Sequence, residues 1–135
     1  MTMEKNVLVN RARLVPLNRA SDSRGVLYPF EFDALPFQPR RCFVVTEVPA
    51  GSVRGRHAHR TCTQLLICLI RRVDVTIKHG GQSAVVTLLP GAAGLLIEPE
   101  TFSEQTYLTD DATLMVFADE SFDPASYIYP EGDVF

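Results

Sequence analysis

The stretch Gly51-Ser-Val-Arg54-Gly55-Arg56-His57-Ala58-His59-Arg60 concentrates more chemistry than any other part of the chain. Successive side chains of a β-strand alternate between its faces, so His57 and His59 project together. Aimed into a barrel, an imidazole pair has two uses. It can ligate a metal, or one ring can act as a general base near neutral pH. Aimed at water, the same pair is an ordinary surface feature. Arg54 lies at a fixed offset from the pair and adds a cation suited to ligand anions. The other histidine, His79, stands beside Gly80-Gly81 and reads as a solvated loop residue.

An inward-facing pair needs a barrel, and the rest of the chain is patterned for one. At 135 residues, 46% hydrophobic and 21% charged, it has the composition of one globular domain spanning residues 1–135, with no need of staples. Strands are expected over Val7–Leu17, Val26–Phe32 (anchored by Leu27 and Phe30), Arg41–Val48, Ala84–Leu89, Leu95–Ile97 and Thr113–Phe117. Thr63–Ile70 and Val73–Lys78 read as a hairpin pair. Gly and Pro punctuate these runs at Pro36, Pro39, Gly51, Gly80-Gly81 and Pro90-Gly91. Only the segment after Ser121 suggests a short helical turn. Many short strands without a helix-length periodic run predict an all-β barrel or sandwich.

The net charge of −3 and the scattered basic residues exclude a general nucleic-acid binder. Arg71-Arg72 falls where a strand turns and reads as a charged edge that discourages aggregation. No apolar run reaches the ~18 residues that would cross a membrane. Three cysteines, Cys42, Cys62 and Cys68, fit free thiols in a reducing cytoplasm better than a disulfide framework.

Around His57 and His59 the chain resembles the first signature of the cupin superfamily: a glycine, five residues, then His-x-His. The carboxylate of that signature is replaced by Gln64, and the histidine of the second signature by Glu104. Glutamine is a poor metal ligand, which argues against a metal, although a metal cupin using His57, His59 and Glu104 is a third reading to test. The resemblance narrows to the sugar-nucleotide 3,4-ketoisomerases, metal-free cupins acting on dTDP-4-keto-6-deoxyglucose. It runs from about Asp22 to the C-terminus. Its marks are Asp22-Ser-Arg24-Gly25-Val-Leu27, Leu35-Pro36-Phe37 followed by Arg41, Arg54-Gly-Arg-His57-Ala-His59 with Gln64-Leu-Leu66, Gly94–Ile97 with Pro99, and Ser121-Phe122-Asp123 with Tyr127-Ile128.

The resemblance implies a double-stranded β-helix, a homodimer, no cofactor, and a nucleotide-sugar substrate used for deoxysugar biosynthesis. It implies that one histidine is the base, His59 being the first choice, with His57 orienting it or shuttling the proton. It places Arg24 on the diphosphate and Arg54 on ligand anions or the developing enediolate. Phe43, Gln64 and Phe102 would line the substrate pocket. Two departures stand out. Phe43 and Ser23 occupy positions where the family usually carries tyrosine, and the first of those is a proposed proton carrier. A binding or regulatory cupin that keeps the pocket without the chemistry is therefore the second reading.

Overall fold

The computed structural model describes residues 4–130 and 135. Its elements are β1 (Lys5–Leu8), β2 (Ala12–Val15), β3 (Ala20–Asp22), β4 (Gly25–Leu27), β5 (Arg41–Val45), β6 (Ser52–His59), β7 (Gln64–Ile70), β8 (Val73–His79), β9 (Gln82–Leu88), β10 (Gly94–Ile97), β11 (Phe102–Tyr107), β12 (Thr113–Ala118) and β13 (Tyr127–Ile128). Two short 3-10 turns, Phe32–Ala34 and Pro124–Ser126, interrupt the loops. The strands form one sheet in the order β1-β2-β10-β7-β12-β5 and a second in the order β13-β6-β11-β8-β9, while β3 and β4 pair only with each other. From β5 onward the chain crosses repeatedly between the two sheets, the winding of a double-stranded β-helix.

That winding corrects the expected hairpin of Thr63–Ile70 with Val73–Lys78. β7 pairs with β10 and β12, whereas β8 pairs with β9 and β11. Arg71, at φ 66°, turns the corner between the sheets. The β8–β9 hairpin is the local one, closed by Gly80 and Gly81 at φ 60° and 78°. The opening run is also two strands, because Asn10 at φ 62° folds β1 back onto β2. Val26–Phe32 is extended only as far as Leu27, and that side chain is exposed rather than an anchor. Phe30 does pack.

The sheets face each other with the alternation that a half-buried strand requires. Inner residues Leu66 and Cys68 of β7, Leu95 and Ile97 of β10, Leu114 and Val116 of β12, and Val73, Val75 and Ile77 of β8 share one core. The alternate residues Leu65, Ile67, Leu96 and Phe117 form a second cluster on the back of the first sheet. Phe30, Leu35 and Phe37 from the Pro-rich loop cover it. β7 is therefore apolar on both faces, which explains its unbroken run Leu65-Leu-Ile-Cys-Leu-Ile70.

Candidate active site

Across the second sheet the register sets out three inward rows: Ser52-Tyr107-Val73-Leu88, Arg54-Gln105-Val75-Val86 and His57-Ser103-Ile77-Ala84. In each row the side chains become more polar from β9 toward β6. Arg54 and His57 are three apart and would ordinarily face opposite ways. A β-bulge between them restores the match, since Ser103 pairs with His57 and Glu104 with Gly55. The extra residue is absorbed by Gly55 at φ 86° and Arg56 at φ 63°. A Cβ on Gly55 would also come within 3.1 Å of the Gln105 amide, so glycine fits both the backbone and the space. The bulge is what puts Arg54, His57 and His59 in one cavity.

The cavity has a volume of about 150 Å³. Its wall is built by Arg54, His57 and His59 of β6, Ser103 and Gln105 of β11, Phe43 and Val45 of β5, Gln64 and Leu66 of β7, and Leu114 and Val116 of β12. Tyr127 of β13 closes one side. Of the residues the sequence singled out, His57, His59, Arg54, Phe43 and Gln64 are thus brought together.

Two others are placed elsewhere. Phe102 alternates with Ser103 and points to the outer face, where it packs on Phe135 (5.3 Å between centroids) and under the Lys78 ammonium. It forms no part of the cavity wall. Arg24 is on the exposed β3–β4 hairpin and grips Asp22 at 2.6 Å, away from the cavity of its own chain. Glu104 also faces outward, toward Arg56 at 3.8 Å, so the trio His57, His59 and Glu104 of the metal-cupin reading does not converge. Among the described residues no cluster of three or more His, Cys, Asp or Glu is arranged to hold a metal.

The electrostatics of the two histidines differ. Burial, together with the charges of His57 and Arg41, lowers the pKa of His59 to about 4, against a smaller opposing pull from Asp119. His59 is 8% exposed and is neutral at physiological pH. His57 is also held below the ordinary histidine value by burial, but the Ala58 backbone partly offsets the shift, and the ring has more access to the cavity. Its Nδ1 is buried with no hydrogen-bond partner. Its ring stacks on Tyr127 at 4.2 Å and 15°, and meets His59 edge-on at 5.0 Å and 85°.

Sequence reasoning missed Ser103, Gln105 and the strand that carries them. It also left Arg41 and Tyr127 without a role. Arg41 shares the inner face of β5 with Phe43, and its guanidinium lies 4.9 Å from the Phe43 ring and 5.5 Å from that of Phe122. No apolar alternation marks Phe102–Tyr107, because its cavity-facing side chains Ser103 and Gln105 are polar.

A double-stranded β-helix with a histidine pair inside its open end defines a cupin. The WxcM-like, C-terminal family model (FdtA) matches residues 10–133, and the chain belongs to that family. A curated relative, the TDP-4-oxo-6-deoxy-α-D-glucose-3,4-oxoisomerase of Aneurinibacillus thermoaerophilus, is 29% identical over 117 residues, covering 86% of this chain and 84% of its own. Among solved structures, the sugar 3,4-ketoisomerase QdtA of Thermoanaerobacterium thermosaccharolyticum, in complex with TDP, superposes with a TM-score of 0.86 at 29% identity, over 91% of this chain and 90% of that one. A mutant of QdtA has also been solved in complex with TDP-4-keto-6-deoxyglucose. The rmlC epimerase of Mycobacterium tuberculosis, 15% identical, shares the fold at a TM-score of 0.80, over 93% of this chain and 72% of its own.

Proposed function

We propose that this protein is a sugar-nucleotide 3,4-ketoisomerase acting on TDP-4-keto-6-deoxyglucose. The observation that carries the reading is a neutral, cavity-facing imidazole, His57, in a chain of this family. The cavity is on the scale of one sugar ring, leaving the nucleotide diphosphate to lie outside its mouth. The hydrogen on C3 is already acidic beside the C4 ketone, so a placed base is sufficient and no cofactor is called for. The base takes the C3 proton and the electron pair forms the C3=C4 enediolate. O4 gains a proton, O3 loses one, and C4 receives the returning proton. The ketone has moved to C3 with no net change in composition.

His57 is the better base of the pair, reversing the initial preference for His59. Deeper burial holds the pKa of His59 near 4 and makes it the weaker base of the two. His57 is less strongly affected and more accessible. Arg54 faces the developing negative charge from the same wall, and Gln64 offers its amide to the sugar hydroxyls. The enzyme works in the cytoplasm, where nucleotide sugars are made.

The protein acts as a homodimer. An isolated two-stranded hairpin is marginal in water, yet β3–β4 stands exposed on both strands with Val26 and Leu27 uncovered. A second copy gives that arm a surface and gives Arg24 a diphosphate to hold at the partner's cavity mouth. The second reading, a cupin that binds without isomerising, is favoured by Phe43, whose ring lines the cavity and has no proton to move.

The test is incubation with TDP-4-keto-6-deoxyglucose in D₂O, followed by NMR of the sugar ring. Ketone migration with deuterium at C3 or C4 is the expected result. Binding of the nucleotide sugar with neither migration nor exchange would leave the second reading standing.

A further inference from the structure

A histidine that moves protons is normally oriented through its second nitrogen, by a carboxylate, a carbonyl or a water. In this chain the Nδ1 of His57 is buried and no described residue bonds it in good geometry, the Ala58 backbone offering a weak interaction only. The plane of the ring matters, because an imidazole free to turn about its two side-chain bonds presents its base in many directions. The groups around it are aromatic. Tyr127 lies nearly parallel to it at 4.2 Å and 15°, His59 meets its edge at 5.0 Å, and Tyr129 approaches at 5.9 Å and 72°. Tyr127 also touches His59, at 4.8 Å and 83°, so one phenol ring braces both imidazoles.

Tyr127 is itself firmly placed. Its strand pairs with β6 at the histidines themselves, Tyr127 opposite His59 and Ile128 opposite Ala58. The turn before it is capped by Asp123, whose carboxylate accepts from the Ala125 N–H at 3.0 Å. The Ser126 hydroxyl donates to the Asp123 carbonyl at 2.8 Å, and the Arg60 N–H donates to the Ser126 carbonyl at 2.9 Å. Phe122 backs the Tyr127 ring edge-on at 6.2 Å. A short strap that makes these bonds on either side of a ring fixes where that ring sits.

We propose that Tyr127 is the positioning residue for His57, setting the plane of the imidazole by ring stacking. This rests on the reading of His57 as the base. The phenol ring also excludes water from one face of the imidazole, which contributes to the burial that keeps it neutral. The other groups facing His57 are His59 and Arg54 on its own strand, Tyr129 on the strap, and the uncharged Ser103, Gln105 and Gln64 across the cavity.

The experiment compares Tyr127→Leu with Tyr127→Phe in the full-length protein, reading kcat, KM and the pH profile. In parallel, ring NMR follows the titration of His57 in protein carrying labelled histidine. Displacing a catalytic group by an ångström can cost on the order of 10²-fold, so Tyr127→Leu should lose turnover on that scale with KM little changed. The His57 titration should move up toward the ordinary histidine value in the same variant. Tyr127→Phe keeps the ring and should recover most of the lost turnover and the wild-type titration. A Phe variant as impaired as the Leu variant would overturn the proposal, because the hydroxyl and not the ring would then be acting. A Leu variant whose turnover and His57 titration both match wild type would overturn it as well. If wild-type protein does not isomerise the keto sugar, the functional reading fails on its own. The NMR titration still decides the stacking role.

Discussion

The two ends of the barrel interior are built from the same strands and have opposite characters. At one end Tyr107, Val73 and Leu88 stand in register across three strands of one sheet, all with 1% exposure or less. At the other end the same sheet presents His57 and Ser103, and the facing sheet presents Arg41 and Gln64 in register across β12. The sealed end holds the sheets together. The open end is free to carry unpaired polar groups because the sealed end supplies the burial. Folding energy and chemistry are separated along one axis of a 135-residue chain.

The sharpest test of that separation is at the open end. His57→Asn keeps the size of the side chain and its polarity but removes a usable base, and general-base catalysis is worth ~10²–10⁴-fold. Turnover should fall by that factor, while the thermal shift produced by TDP and the melting temperature of the free protein stay near wild type. A large drop in melting temperature would mean that the open end also carries the fold. The converse substitution is Leu88→Ala at the sealed end, which should cost about 2–5 kcal/mol of stability in denaturant titrations. Measured below its new melting temperature, its kcat should remain close to wild type.

The same division governs what could be read from the sequence. β7, β8, β10 and β12 were legible because their inner residues are apolar and alternate with turns at Gly or Pro. β11 was not, since its inward residues Ser103 and Gln105 face the cavity and leave no hydrophobic alternation to detect. The hairpin assigned to β7 and β8 failed for a related reason. Adjacent apolar strands predict a local pair, while the Arg71 corner that sends them to different sheets is a backbone event. Spacing put His57 and His59 on one face, and the cupin resemblance turned that face inward and added Gln64. Arg54 shares their face only through the bulge at Gly55-Arg56. Phe102 was misplaced because neighbours on a strand face opposite ways, and without a strand there was no parity to apply. Tyr127 reaches the site from a strap 68 residues beyond His59, a contact that no local pattern encodes.

A third test uses the depressed His59. In the unfolded chain its imidazole takes up a proton near 6.5, and in the folded protein only near 4. Between those values the unfolded state binds more protons, so stability rises with pH through the window and falls as the solution is acidified. The full difference is on the order of 3 kcal/mol, present above about pH 6.5 and lost by about pH 4. His57 adds a contribution of the same sign. Denaturant titrations of His59→Gln against wild type should therefore converge toward acid pH. Curves that stay parallel would mean that water reaches His59 freely and that the open end extends deeper than its burial implies.

The smallest effect tests how dry the sealed end is. Tyr107 is fully buried, its hydroxyl has no hydrogen-bond partner among the described residues, and burial pushes its pKa up to about 12 despite an opposing pull from Arg54. An unpaired hydroxyl in an apolar core costs about 1–3 kcal/mol. Tyr107→Phe removes the oxygen and keeps the ring, so it should stabilise the protein by roughly 1 kcal/mol and raise the melting temperature by a few degrees. A fall in melting temperature would mean that the hydroxyl is bonded to an internal water. Water at that depth, beneath Arg54, would make the interior a continuous polar shaft, and the contrast between a dry structural end and a wet chemical end would have to be given up.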